Sequence, residues 1–249
     1  MQCSAAAVPV VILAGGLATR LHPLTETIPK ALVEVAGKPF LDHQLELLRG
    51  QGLPEVVLCV AHLGQMILQR YGTGAAFGVN LKYSFDGPTS LGTGGAIKHA
   101  LPLLPDPFFV MYGDSYLPTD FQAVLAAFRK AGQPALMTVF ANADAWDRSN
   151  VWWEEGTLKR YSKREKLPLM GHIDYGLSVC SKGIFDRYPD GAPFDLATVF
   201  EDLSGEGCLA GFEVAERFYE IGSHSGLSEL DRCLRRRELP HAVQTQYNP

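Results

Sequence analysis

A doubly wound α/β fold, in which a mostly parallel sheet is covered on both faces by helices, is predicted for this 249-residue chain, with a small α+β extension behind it. Three observations predict it. Short apolar runs rich in branched residues alternate with segments of helical period. The loops that leave those runs are rich in glycine or carry a carboxylate. After about residue 141 the alternation gives way to shorter, amphipathic segments.

The elements follow in order. "VPVVILA" (8–14) is a buried strand, and "PFLDHQLELLRGQG" is a helix in which Leu41, Leu45 and Leu48 recur at helical spacing before glycine ends the pattern. "EVVLCVA" precedes the helical "GQMILQRYG". "VNLKYSF" precedes "GGAIKHALPLL". "PFFVMYGD" leads to "TDFQAVLAAFRKAG", with Thr119 as N-cap and Phe121, Leu125 and Phe128 on one face. "PALMTVF" adds a strand. In the second half "NVWWEEGTLKRYSK" reads as a hairpin with a Glu-Gly turn, followed by "IDYGLSVC", "FDLATVFEDL", "CLAGFEV" and "RFYEIG", all packing on the same sheet or over its edge. A basic final helix, whose arginines form a solvated face, and a polar tail at 241–249 close the chain. No linker rich in Pro, Ser or Gly divides the halves, so one domain is expected.

Composition narrows the partners. The formal charge is −5, with no long acidic or basic block, which argues against nucleic acid and an anionic membrane as ligands. The first residues lack the cations that precede a signal peptide's apolar core. No stretch reaches the roughly 18–20 apolar residues that span a bilayer. The 5 cysteines, at 3, 59, 180, 208 and 233, are odd in number and widely separated. They read as thiols of a reducing compartment, which together with the missing signal suggests the cytoplasm.

In an open parallel sheet, ligands bind outside the carboxyl ends of the strands. The first such loop, "AGGLATRLHPLTETIPKAL", places Gly15 and Gly16 where backbone amides approach an anion, and adds Arg20 and Lys30 as cations. It fits neither a Walker loop nor a dinucleotide fingerprint, whose third glycine is replaced by Arg20. Taken alone, it serves equally well as a tight turn with solvent-facing cations. "SLGTGGAIK" opens a helix with side chains small enough for a base or ribose to lie on backbone. "VMYGDSYL" sets Asp114 after an apolar strand, where a carboxylate suits Mg²⁺ or simply turns the chain. Glu220 ends a later strand, "RFYEIGS". Whether these two carboxylates meet is a question for the fold. His62, His99 and His224 are scattered, and read as cap or surface residues rather than members of a triad.

Together these stretches resemble the sugar-1-phosphate nucleotidyltransferase family, also called nucleotide-sugar pyrophosphorylases. "LAGGLATRLHPLTETIPKAL" is similar to the family pattern L-A-G-G-x-x-x-R-L-x-P-L-T followed by P-K. "GKPFLDHQLELL", "LGTGGAIKHAL", "YGDSYL", "YSK", "IDYGLSV" and "FYEIGS" follow in the family's order. The resemblance covers nearly the whole chain, and within the family it leans toward the heptose-1-phosphate and mannose-1-phosphate guanylyltransferase branch. It implies a Rossmann-like nucleotidyltransferase domain over 1–249 with no β-helix domain. Residues 1–141 would bind nucleotide and about 142–240 sugar phosphate.

The resemblance also implies roles. Arg20, Lys30 and Asp114 would be catalytic. Leu13, Ala14, Gly15, Gly16, Arg20, Lys30, Gly92 and Thr93 would hold the nucleotide. Tyr112, Gly113, Asn150, Lys163, Asp174, Tyr175 and Gly176 would hold the sugar phosphate. Asp114 and Glu220 would ligate Mg²⁺, Glu220 standing where the family usually has aspartate. Ser162 replaces the glutamate of the family's Glu-Lys-Pro, and its proline is absent. The implied reaction joins a nucleoside monophosphate from an NTP, with GTP favoured, to a sugar 1-phosphate such as that of heptose or mannose. A homodimer is compatible. Thymidylyl or uridylyl transfer is the nearer alternative, and a silent nucleotide-sugar-binding regulatory subunit the more distant one. A glycosyltransferase would want an Asp-x-Asp motif, which "GDSY" does not supply.

Overall fold

The computed structural model describes residues 8–16, 18–61 and 63–238, with side chains as far as Arg236. Cys3, His62 and the polar tail at 241–249 lie outside the described residues. The first half runs β1 (Val10–Leu13), β2 (Glu34–Val35), β3 (Lys38–Pro39), α1 (Phe40–Gly50), β4 (Glu55–Val60), α2 (Gly64–Tyr71), β5 (Asn80–Phe85), α3 (Gly92–Ala100), β6 (Phe108–Tyr112), β7 (Ser115–Tyr116), α4 (Phe121–Ala131) and β8 (Ala135–Ala141). The second runs β9 (Val151–Glu154), β10 (Thr157–Tyr161), β11 (Met170–Cys180), α5 (Leu196–Gly205), β12 (Leu209–Val214), β13 (Tyr219–Glu220) and α6 (His224–Glu238).

Among the described residues nine strands form one sheet in the order β10-β9-β11-β6-β1-β4-β5, with β8 beside β11 and β12 beside β8. β6, β1, β4 and β5 are mutually parallel, as is β12 with β8. β11 is the antiparallel seam, bonded to β6, β8 and β9. Successive β1 residues enter different cores, because side chains alternate across a strand. Val10 and Ile12 pack with Leu41, Leu45, Ile67 and Phe121 of α1, α2 and α4, whereas Val11 packs with Ile97 of α3 and Phe200 and Leu203 of α5. Strand order reverses at β1, whose neighbours are β4 on one side and β6 on the other. The loops leaving β1 and β6 therefore open into the crevice where doubly wound sheets bind ligands.

The predicted hairpin forms between β9 and β10, its turn made by Glu155 and Gly156 with φ of 49° and 73°. The expected N-cap of α4 is corrected by one residue. Asp120, not Thr119, accepts hydrogen bonds from the backbone N–H groups of Gln122 (2.9 Å) and Ala123 (3.1 Å). The "IDYG" segment is not regular strand either. β11 shifts register against β8 between Asp174 and Ser178, with Gly176 at φ 98°, a bulge that re-aims side chains beside a site.

Candidate active site

At the crevice the ends of β1 and β6 almost touch. Gly113 donates its N–H to the Leu13 carbonyl at 3.1 Å, and a Cβ on Gly113 would stand 2.4 Å from that oxygen. Glycine thus lets Asp114 leave β6 directly against the loop that leaves β1. Ala14 is tied to β4 by its N–H bond to the Cys59 carbonyl (2.8 Å), while Gly16 has no atom within 4 Å of its would-be Cβ. Lys30 opens a short 3-10 turn after Pro29, and its Nζ donates to Asp114 Oδ2 at 2.9 Å.

A cavity of about 220 Å³ lies over this junction. Leu13, Ala14, Gly15, Gly16, Lys30, Gly92, Thr93, Tyr112, Gly113 and Asp114 line it, and so do Ala31, Cys59, Asp86, Ser90 and Ala96, which sequence reasoning missed. Asp86 was within reach of that reasoning, since it too follows a parallel strand. Two expected nucleotide residues have further partners. Arg20 is absent from the lining, and its guanidinium comes within 3.1 Å of the Cβ position of Gly222 at the foot of α6. Arg20 thus stands close to Asp114, whose Oδ2 is 3.6 Å from the same Gly222 Cβ position. The Thr93 hydroxyl donates to Asp195 Oδ1 (2.7 Å) and accepts from Leu196 N–H (2.8 Å), locking α3 to α5. The glycines that open α3 are needed for that same packing: a Cβ on Gly92 would meet the Phe194 carbonyl at 2.6 Å, and one on Gly94 the Phe194 ring at 2.4 Å.

The fold brings the two carboxylates together. β13 pairs antiparallel with β7, setting Glu220 opposite Ser115, and Ile221 N–H bonds the Asp114 carbonyl at 2.9 Å. Burial raises the Glu220 carboxyl above its ordinary range. Asp114 and Asp147 raise it further, and Arg20 and Lys30 oppose them. Buried Gln44 of α1 pins the β6–β7 corner, its Nε2 donating to the carbonyls of Tyr112 (3.3 Å) and Ser115 (2.9 Å). Two oxygen donors with surplus negative charge fit a hard divalent cation such as Mg²⁺. Among the described residues no group of three or more His, Cys, Asp or Glu gathers to hold an ion unaided. Mg²⁺ is commonly held by one or two carboxylates, the rest of its ligands being phosphate and water oxygens.

A second cavity of about 220 Å³ adjoins the first, sharing Tyr112 and Asp114 with it. The expected residues Asn150, Lys163, Asp174, Tyr175, Gly176 and Glu220 line it, together with Ser115, Asp147, Ile173 and Phe218. Asn150 Oδ1 accepts the Asp174 N–H and Asp174 Oδ1 accepts the Gly176 N–H, each at 2.9 Å, which fixes the bulge. Burial raises the Asp174 carboxyl, the Gly176 bond and the Lys163 ammonium pulling the other way. Lys163 Nζ lies 5.8 Å from the centre of the Tyr112 ring. The buried Tyr175 ring packs edge-on against Phe218, so it serves this cavity as wall.

Residues 9–149 match the profile of the family described as Nucleotidyl transferase. The chain belongs to that family. Among curated nucleotidyltransferases it is 45% identical over 114 residues to the N-acetylmuramate alpha-1-phosphate uridylyltransferase of Neisseria meningitidis serogroup B, covering 45% of this chain and 49% of that protein. It is 30% identical to the D-glycero-alpha-D-manno-heptose 1-phosphate guanylyltransferase of Campylobacter jejuni, covering 80% of this chain and 89% of that one. The chain spans about half the length of the first curated relatives it matches, the Neisseria protein and a UTP--glucose-1-phosphate uridylyltransferase of Synechocystis. In fold the nucleotidyltransferase chain is similar to a crystal structure from Bacillus anthracis (18% identical, TM-score 0.82, 98% of each chain). It is also similar to HddC from Yersinia pseudotuberculosis complexed with GMP-PN (24% identical, TM-score 0.76, 91% of this chain and 99% of that one). No helix among the described residues is long and apolar enough to cross a membrane.

Proposed function

We propose that the protein transfers a nucleoside monophosphate from an NTP to a sugar 1-phosphate, giving a nucleotide sugar and pyrophosphate, with GTP and a heptose or mannose 1-phosphate as its substrates. The observation that carries the reading is the pair of cavities sharing Asp114, with Lys30 bonded to that aspartate and Glu220 held beside it. One cavity offers backbone and small side chains to a nucleotide. The other offers Asn150, Asp147 and Asp174 as hydrogen-bond acceptors, suited to an uncharged, hydroxyl-rich sugar. On this reading residues to about 141 serve the nucleotide and those from about 142 to 240 the sugar.

In such a transfer an oxygen of the sugar phosphate attacks the α-phosphorus and pyrophosphate departs in line, so the protein needs no nucleophile. Its work is positioning and charge neutralisation. The amides of Gly15 and Gly16 hold the triphosphate, with Arg20 at its rim. Lys30 exchanges Asp114 for the α-phosphate, and Lys163 holds the sugar phosphate against Tyr112. Asp114 and Glu220 would hold Mg²⁺, which when bound offsets the charge that develops on the phosphate oxygens. We place this chemistry in the cytoplasm, feeding cell-surface polysaccharide synthesis, and in a chain able to form a homodimer.

The test is pyrophosphate release for GTP, UTP, dTTP, ATP and CTP against a panel of hexose and heptose 1-phosphates, with Mg²⁺ and with EDTA. Release with GTP, abolished by EDTA, is expected. No release from any pair while nucleotide sugars still bind would assign the chain to a silent regulatory role, and preference for UTP or dTTP would overturn the guanylyl choice alone.

A further inference from the structure

The loop that carries Lys163 departs from the family's Glu-Lys-Pro, having Ser162 before the lysine and Arg164 after it. It thus lacks the carboxylate immediately before the lysine and the ring immediately after it. The geometry points to Glu201 of α5 as the residue that positions Lys163 for the sugar phosphate. Glu201 Oε1 accepts two hydrogen bonds from this loop, from Ser162 Oγ at 3.1 Å and from the Lys163 N–H at 2.9 Å. The Ser162 hydroxyl in turn accepts from the N–H groups of Arg164 (3.1 Å) and Glu165 (3.0 Å), so one carboxylate and one hydroxyl set the whole turn.

The Glu201 side chain is only 13% exposed, and its helix is well anchored. Next to it Phe200 is buried edge-on against Tyr161, and Ser204 accepts the Tyr161 N–H at 3.2 Å. The start of α5 is tied to Thr93 through Asp195. α5 contributes no residue to either cavity, yet it braces Thr93 in the wall of one and Lys163 in the wall of the other. The Arg164 Nε contact with Glu201 Oε2, at 3.7 Å, adds little because Arg164 is 76% exposed. The backbone of Lys163 is therefore what Glu201 controls. Fixing the origin of a flexible side chain concentrates its ammonium over Tyr112 before substrate arrives.

This inference rests on Lys163 meeting the sugar phosphate, and the test keeps the two apart. KM for the sugar 1-phosphate, KM for the NTP, kcat and Tm are measured for wild type, Glu201→Ala, Glu201→Gln, Lys163→Ala and the Glu201→Ala/Lys163→Ala double variant. Glu201→Ala is expected to raise the sugar-phosphate KM by about 10-fold or more and to leave the NTP KM within about 2-fold. Glu201→Gln, whose amide oxygen accepts the same two bonds, recovers most of the loss. The double variant is no worse than Lys163→Ala alone, because Glu201 acts through that lysine. Where the alanine variant does not fold, Glu201→Asp takes its place, withdrawing the carboxylate by one methylene. A wild-type sugar-phosphate KM in the folded Ala or Asp variant, or fully additive losses in the double variant, would overturn the inference. Absence of turnover in the wild type would instead overturn the reading of the site.

Discussion

Replacing Gly113 with alanine attacks the point where the two halves of the nucleotide crevice meet. The added methyl would stand 2.4 Å from the Leu13 carbonyl oxygen and 2.9 Å from both Ala14 Cα and the Leu13 carbonyl carbon, all of them backbone atoms. Real Cβ atoms do not approach other heavy atoms closer than about 3.0 Å, so the ends of β1 and β6 must part by about 0.6 Å. Forcing extra volume into a packed site costs about 1–3 kcal/mol, which lowers Tm by several degrees. The same movement separates the Ala14–Gly16 backbone from Asp114. Since a displacement of about 1 Å costs about 100-fold in rate, about 10-fold or more is expected here. Pyrophosphate release and a thermal melt read the two effects. Gly50→Ala is the control, because no atom lies within 4 Å of its Cβ position at the end of α1. Its turnover should be unchanged and its Tm equal or slightly higher. Wild-type turnover and wild-type Tm in Gly113→Ala would refute the reasoning.

Lys30→Ala should lower kcat/KM by about 100-fold or more while the protein stays folded, as expected for loss of a preorganised charge, and near-normal turnover would remove Lys30 from the chemistry. Glu220→Asp should keep activity at a higher Mg²⁺ requirement whereas Glu220→Gln abolishes it, as read from Mg²⁺ titrations; an active glutamine variant would take Glu220 out of the metal shell. The third concerns Asp144, whose carboxyl is drawn down to about 2 by the Lys166 ammonium and by the backbone N–H of Ser149. A depressed carboxyl contributes stability that is fully present above the ordinary carboxylate pKa and is lost as pH falls through the lowered value. The Tm difference between wild type and Asp144→Asn should therefore be constant from pH 7 to about 5 and shrink toward pH 2, and a difference independent of pH would sink that account.

Alternating apolar runs and helical spacing made the elements readable, and the strand-end rule located Gly15, Gly16, Lys30 and Asp114 because those depend on sequence position alone. What depends on side-chain direction was less legible. Arg20 lies beside Gly222 and Asp114 rather than in the lining of the first cavity, and the Thr93 hydroxyl, though in that lining, caps a neighbouring helix. Thr119 and Asp120 are both good caps, and only the backbone conformation chooses between them. The glycines of "LGTGG" read as a bed for a ligand, whereas Phe194 shows that close packing of α3 requires two of them. The meeting of Glu220 with Asp114, and of Glu201 with Lys163, joins segments far apart in sequence, and no local pattern encodes such pairs.

The short ladder between β7 and β13 joins two distant parts of the chain at the site. The residues that line the first cavity run from Leu13 to Asp114, while Glu220 comes from the second half of the chain. Ile221, beside Glu220, shares a small apolar cluster with Val35 and Phe40 and with Leu230 and Leu234 of α6, so one cluster holds both the strand and that helix. A change in α6 thus reaches Glu220 through Ile221, a residue that lines neither cavity.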